Sequence, residues 1–149
     1  DLFFRRAGSW LCLFHMFVSN DMHEENVIAS GSYPVPIDLE TILQGAETSD
    51  DDPVIERQAF QMASRVMADS VMITGLLPAY GRSPENQVFA HGGLHNQGNL
   101  SPELRWENIN TDSMRPRQQW EQEADLPNLP FCDGRRGQLG DHIAALVGL

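Results

Sequence analysis

Three side chains set the chemical question. Asp21 and Asn26 stand five positions apart, and Asp38 follows after a short stretch rich in β-branched residues and proline. An Asp in the first position can orient an attacking hydroxyl and accept its proton, while an Asn and a second Asp offer hard oxygen ligands to Mg2+. That is the equipment of phosphoryl transfer, where positioning and electrostatics do most of the work. Spacing alone leaves Asp21 evenly balanced between this role and that of a turn residue solvating its loop.

These residues need elements to hold them. From Leu2 to Ser19, apolar residues including Phe3, Ala7, Trp10, Leu11, Phe14 and Val18 recur at helical spacing, which predicts a buried helix ending at the polar run Asp21-Met22-His23-Glu24-Glu25-Asn26. Val27-Ile28-Ala29 and Pro34-Val35-Pro36-Ile37-Asp38, separated by Ser30-Gly31-Ser32, predict a hairpin whose prolines suit an edge. Asn26 and Asp38 then sit at its mouth. Residues 47–52, followed by Pro53, read as a solvated acidic loop. The stripe Ile55, Ala59, Met62, Ala63 and Val66 predicts a second helix from Val54 to Ala68, its Met residues serving the core. Val71-Met72-Ile73 reads as a strand and Ala79 to Pro102 as loop. Of the later apolar pieces, Leu104 to Met114, Trp120 to Pro130 and Asp141 to Leu149, only the last has helical spacing. No internal repeat is visible.

Composition narrows the function classes. Ten basic against 21 acidic residues give a net charge of -11, which repels phosphate backbones and excludes nucleic acid as the expected partner. The apolar run Trp10 to Val18 is about half the roughly 20 residues of a membrane span, so no transmembrane segment is expected. Cys12 and Cys132 form no CxxC pair, which fits a reducing, cytoplasmic setting where the sequon Asn99-Leu100-Ser101 has no meaning. The chain starts at Asp1 and stops within the apolar stretch Ile143 to Leu149, so both ends read as cut.

The protein-kinase pattern fits only in part, because Asp21-Met22-His23 stands where a kinase has His-Arg-Asp, and Asp38-Leu39-Glu40 where it has Asp-Phe-Gly. Asp21-x-His23-x-x-Asn26 followed by Pro36-Ile37-Asp38-Leu39-Glu40-Thr41 resembles instead the signature of class II lanthipeptide (lantibiotic) synthetase dehydratase domains. Thr74-Gly75-Leu76-Leu77-Pro78, Trp106-x-Asn108-Ile109-Asn110-Thr111-Asp112-x-Met114 and Leu126-Pro127-Asn128-Leu129-Pro130 extend the resemblance over nearly the whole chain. Phe89-Ala90-His91-Gly92-Gly93-Leu94 departs from it, where members of that family tend to carry a Ser-Gly-Leu-Gly-like stretch.

The resemblance implies an α+β fold, a kinase-like (lipid-kinase-like) C-lobe fragment, mainly helical with a short β-hairpin. Residues 1–149 would form a partial dehydratase domain, with no cyclase domain present. It implies an enzyme that phosphorylates Ser and Thr of a ribosomal precursor peptide with ATP and Mg2+, then eliminates phosphate. Zinc would belong only to the cyclase domain. Asp21, His23, Asn26 and Asp38 are carried over as catalytic, with Asn26 and Asp38 binding the nucleotide and metal, and Glu40 as a weaker candidate. No glycine-rich nucleotide-covering segment, phosphate-binding Lys or elimination Arg and Thr can be matched, so the fragment alone is expected to be inactive. The resemblance says nothing of association with an export system.

Competing readings are plainer. A kinase-like module could bind peptide without catalysis, and small-molecule phosphotransferases share the Asp, Asn and Asp geometry but leave Trp106 to Met114 without a purpose. Glu24 and Glu25 read as a solvated face, since sequence neighbours point apart. His91 and His95 have the spacing of helical zinc ligands, but Gly92-Gly93 between them predicts a metal-free loop. Arg135-Arg136 read as local charge balance.

Overall fold

The structure, a computed structural model, describes residues 1–43, 55–82, 86, 88–95, 100–122 and 126–148. The acidic run at 47–52 and Asn99 of the sequon lie outside the described residues. Helix α1 spans Leu2–Met16 and buries Phe3, Phe4, Ala7 and Phe14, with Phe3 and Phe4 four and three residues before Ala7 and Phe14 seven after it, all on one helical stripe. It stops three residues short of the expected end, at Phe17, and Val18 turns into the left-handed region at φ 51. Leu13 and Met16 are exposed, so the run from Trp10 is only half buried.

The expected hairpin is present. Strand β1 (Val27–Ser30) pairs antiparallel with β2 (Tyr33–Pro36), Val27 opposite Pro36 and Ser30 opposite Tyr33. Helix α1 carries it: Arg6 stacks over the Tyr33 ring at 3.6 Å and donates to Ser32, and Trp10 Nε1 donates to the Pro34 carbonyl at 3.1 Å. Two prolines are tolerated because, among the described residues, no strand pairs with the outer edge of β2.

Helix α2 (Ile55–Ala68) forms as expected, Val54 lying outside the described residues, but four positions of its stripe are not core: Met62 is 69% and Val66 71% exposed, and Ala59 and Ala63 are exposed too. Periodicity identifies a face without identifying a cover for it. The strand expected at Val71-Met72-Ile73 is a 3-10 turn, Val71–Thr74. Ser70 accepts the Met72 N–H at one end, and Gly75 takes φ 74 at the other, so local capping overrides β-branching.

The stretch from Ala79 to Pro102 is not all loop. Strand β3 (Ala79–Arg82) pairs with β4 (Val88–His91), and β5 (Leu100–Glu107) pairs over eight residues with β6 (Arg115–Gln122). Strands β7 (Phe131–Cys132) and β8 (Arg135–Arg136) close a small hairpin, and a 3-10 turn at Leu139–His142 leads into α3 (Ile143–Leu146). The α+β expectation holds, but the described strands form four two-stranded pairs where one short hairpin was expected. Core residues Phe4, Met22, Val27, Leu76, Leu94 and Leu129 meet where α1, the polar run and three later segments converge. No helix among the described residues is long and apolar enough to cross a membrane.

Candidate functional site

The polar run from Asp21 to Asn26 is held from below. Ser19 and Met22 are fully buried, the Ser19 N–H donates to the Phe14 carbonyl at 2.8 Å, and the Met22 N–H donates to the Thr74 carbonyl at 2.8 Å. With Met22 pinned, Asp21 faces solvent at φ 69, a left-handed conformation that a short polar side chain accepts more readily than most. The Asn26 amide nitrogen fixes that backbone by donating to the Asp21 carbonyl at 2.9 Å.

His23 lies between them. The Glu25 N–H donates to His23 Nδ1 at 3.3 Å, which requires a lone pair there and assigns the ring proton of the neutral form to Nε2. Nε2 is 3.8 Å from Asp21 Oδ1, so this tautomer turns its N–H toward the carboxylate. In this tautomer Asn26 Nδ2 and His23 Nε2 both carry hydrogen, so their 3.3 Å approach is a packing contact and not a hydrogen bond. Asn26 is left with its oxygen as the atom available to a cation.

The hairpin brings Asp38 back to this loop. Val27 and Pro36 form its last ladder pair, and the Ile37 N–H donates to the Asn26 carbonyl at 3.0 Å, so Asp38 lies one residue beyond the partner of Asn26. Asp38 is exposed, and its Oδ1 accepts the Glu40 N–H at 3.3 Å. Thr41 Oγ1 donates to the Asn20 carbonyl and the Leu43 N–H to the Phe17 carbonyl, tying the segment after Asp38 to the one before Asp21. The four expected site residues are thus gathered on one exposed rim. Glu40 is exposed beside them.

Asn26 and Asp38 present an amide oxygen and a carboxylate, the donors Mg2+ prefers. No group of three or more His, Cys, Asp or Glu among the described residues could hold a metal ion. A Mg-nucleotide site does not need one, because phosphate and water oxygens complete the shell.

Beneath the rim, segments far apart in sequence interlock. The Gly93 N–H donates to the Gly75 carbonyl at 3.0 Å and Leu94 N–H to the Leu76 carbonyl at 2.9 Å. A Cβ on Gly93 would stand 2.5 Å from the Met22 carbonyl oxygen, so only glycine lets these backbones meet. Buried Asn128 donates to the carbonyls of Gly93 and His95 at 3.0 and 2.7 Å, and the Ala29 N–H donates to the Pro127 carbonyl at 2.7 Å. The pieces at 74–78 and 126–130 therefore support the loop. The piece at 106–114 does not; it lies in and between β5 and β6, with Trp106, Ile109 and Met114 exposed.

Glu24 corrects the expectation of a solvated face. Its side chain is 3% exposed, Oε1 lies 2.9 Å from His91 Nδ1, and Oε2 accepts the Gly92 N–H at 2.9 Å. Burial pushes its pKa up, but hydrogen bonds from His91, its own backbone and Gly92 outweigh that and hold it below the ordinary carboxylate value. Glu25 is exposed, so the adjacent pair does point apart. His91 ends strand β4 instead of sitting in a loop, and Arg136 donates to the carbonyls of Leu126 and Leu129 instead of only balancing charge. No sequence signal joined Glu24 to His91 across 67 residues.

No curated protein and no solved structure matches the chain. One family model does, over residues 1–148, under the description "Domain of unknown function (DUF4135)". That match takes in the rim and the segments beneath it, and the chain belongs to the DUF4135 family.

Proposed function

We propose that this chain is the phosphotransfer centre of a lanthipeptide-synthetase-like dehydratase, with a kinase-like arrangement of its site. The observation that carries this reading is the rim, where hairpin register brings Asp38 to the mouth beside Asn26 while Asn26 fixes the backbone of Asp21. Asp21 accepts the proton of a Ser or Thr hydroxyl of the precursor peptide as the O–P bond forms and the bond from the γ-phosphorus to the bridging oxygen of ADP breaks. His23 Nε2–H orients the Asp21 carboxylate. Asn26 and Asp38 would hold Mg2+, which when bound neutralises charge on the ATP phosphates. Loss of the Cα proton and of phosphate then yields the dehydroamino acid, and none of the residues named here is assigned to that second step. Free Cys12 and Cys132 accord with a cytoplasmic site of action.

The test is mass spectrometry of a precursor peptide incubated with Mg-ATP and the full-length protein carrying this chain. Wild type should add phosphate or lose water, and Asp21→Asn should do neither. Asp38→Asn should abolish phosphorylation yet still process a pre-phosphorylated peptide. An unmodified peptide that nevertheless binds tightly, independent of Mg-ATP, would replace this reading with that of a non-catalytic binding module.

A further inference from the structure

The geometry points to Glu24 and His91 as a positioning pair that sets the roll of the site loop, an inference that rests on reading 21–26 as that loop. Along this run Met22 and Glu24 are the inward residues, while Asp21 and Glu25 face out and His23 and Asn26 lie half-buried between. Met22 is held through its backbone and by packing. Glu24 is held by charge and direction: each carboxylate oxygen has its own donor, His91 Nδ1 on Oε1 and the Gly92 N–H on Oε2, both at 2.9 Å.

Two donors from adjacent residues fix the plane of the carboxylate as well as its place. Glu24 directly follows His23, and Glu25, whose N–H sets the His23 tautomer, comes next, so the roll of Glu24 is passed to both. A buried carboxylate is a costly way to fill space, and an apolar side chain would pack there at less cost. What the carboxylate adds is orientation. His91 is held in turn at the end of β4, with the Phe89 ring edge-on at 5.4 Å, and Gly92 is pressed against Leu77 and Pro78 where a Cβ would have no room. The pair therefore couples the catalytic rim to the β3–β4 hairpin, and Glu24 acts through His23 and Asn26 without touching a reacting atom.

The experiment is nitrogen-15 NMR of the full-length protein, following the His23 ring nitrogens and the Asn26 side-chain amide. Glu24→Ala and His91→Ala should each shift and broaden these signals while leaving the β5–β6 amides in place. Glu24→Gln, which keeps an acceptor for the Gly92 N–H, should recover part of the wild-type pattern. His91→Ala carries the test if Glu24→Ala does not fold. In turnover, the alanine variants should lower kcat on the order of 10- to 100-fold, as loss of residues orienting a first shell does, with KM for ATP little changed. Variants that lose stability but keep wild-type His23 and Asn26 signals would overturn the proposal. The NMR arm needs no turnover, so a wild type that transfers no phosphate would sink the phosphotransfer reading alone.

Discussion

The 21–26 loop and the β5–β6 hairpin invert the usual association of regularity with importance. The loop has no ladder of its own, yet its inward atoms bond to Thr74, His91 and Gly92, residues 50 to 70 positions away in round figures. The hairpin has eight ladder pairs, but Leu104, Trp106, Ile109 and Met114 along it are exposed, and the ion pairs of Glu107 with Arg115 and Arg117 are internal to it. Long-range closure is entropically expensive and is kept where direction matters. Local pairing forms readily and constrains little beyond itself.

That contrast can be broken most forcefully at Gly93. An added methyl would meet the Met22 carbonyl oxygen at 2.5 Å, Leu76 Cδ1 at 2.8 Å and Val27 Cγ2 at 3.0 Å, and the first of these is backbone that cannot rotate away. Gly93→Ala should cost roughly 3 kcal/mol of unfolding free energy, at the upper end of overpacking, read by urea titration of the circular dichroism. A loss below about 1 kcal/mol would mean that the two backbones slide apart at little cost and that the loop is not locked.

Asn128→Ala comes next. It leaves the Gly93 and His95 carbonyls without their amide donor in a buried place, at about 2 kcal/mol. The same urea titration measures it, and a neutral result would mean that other donors replace the amide.

A smaller effect should appear at Glu24 as a function of pH. Its folded pKa lies below the ordinary 4.5, so the carboxylate's contribution is fully present above that value and is lost as pH falls through the lower, folded one. Glu24→Gln should be less stable than wild type at neutral pH, with the gap in Tm narrowing below about pH 4.5. A gap of constant size from neutral to acid pH would show that the charge contributes nothing.

The sequence carried much of this unevenly. Helix α1 was legible because Phe3, Ala7 and Phe14 fall on one stripe, and the β1–β2 hairpin because two β-branched runs flank Ser30-Gly31-Ser32. The meeting of Asn26 and Asp38 followed from that hairpin. Glu24 was misread because alternation along a loop does not say which member of an adjacent pair faces in. The exposed stripe of α2 failed for a related reason, since a period does not name its cover. The β5–β6 ribbon was hidden by Pro102 within one strand and by a turn in which Asn108 and Asn110 take φ 53 and 65, which reads as loop chemistry.

The smallest expected effect lies on that ribbon and tests the other side of the comparison. Arg117 at 2.7 Å and Arg115 at 3.1 Å hold the Glu107 carboxyl below its ordinary pKa, and Glu107 raises that of Arg117. The Glu107 side chain is 27% exposed and its arginine partners are 72% and 61% exposed, so water still screens these ion pairs. Such ion pairs have good geometry and little net worth, because solvent and side-chain entropy take back most of the attraction. Glu107→Gln should therefore leave Tm within replicate scatter, with the His23 and Asn26 NMR signals unmoved. If it instead destabilised the protein as much as Asn128→Ala, the ribbon would be bound into the core as firmly as the loop, and regularity and long-range locking would not be separable in this chain.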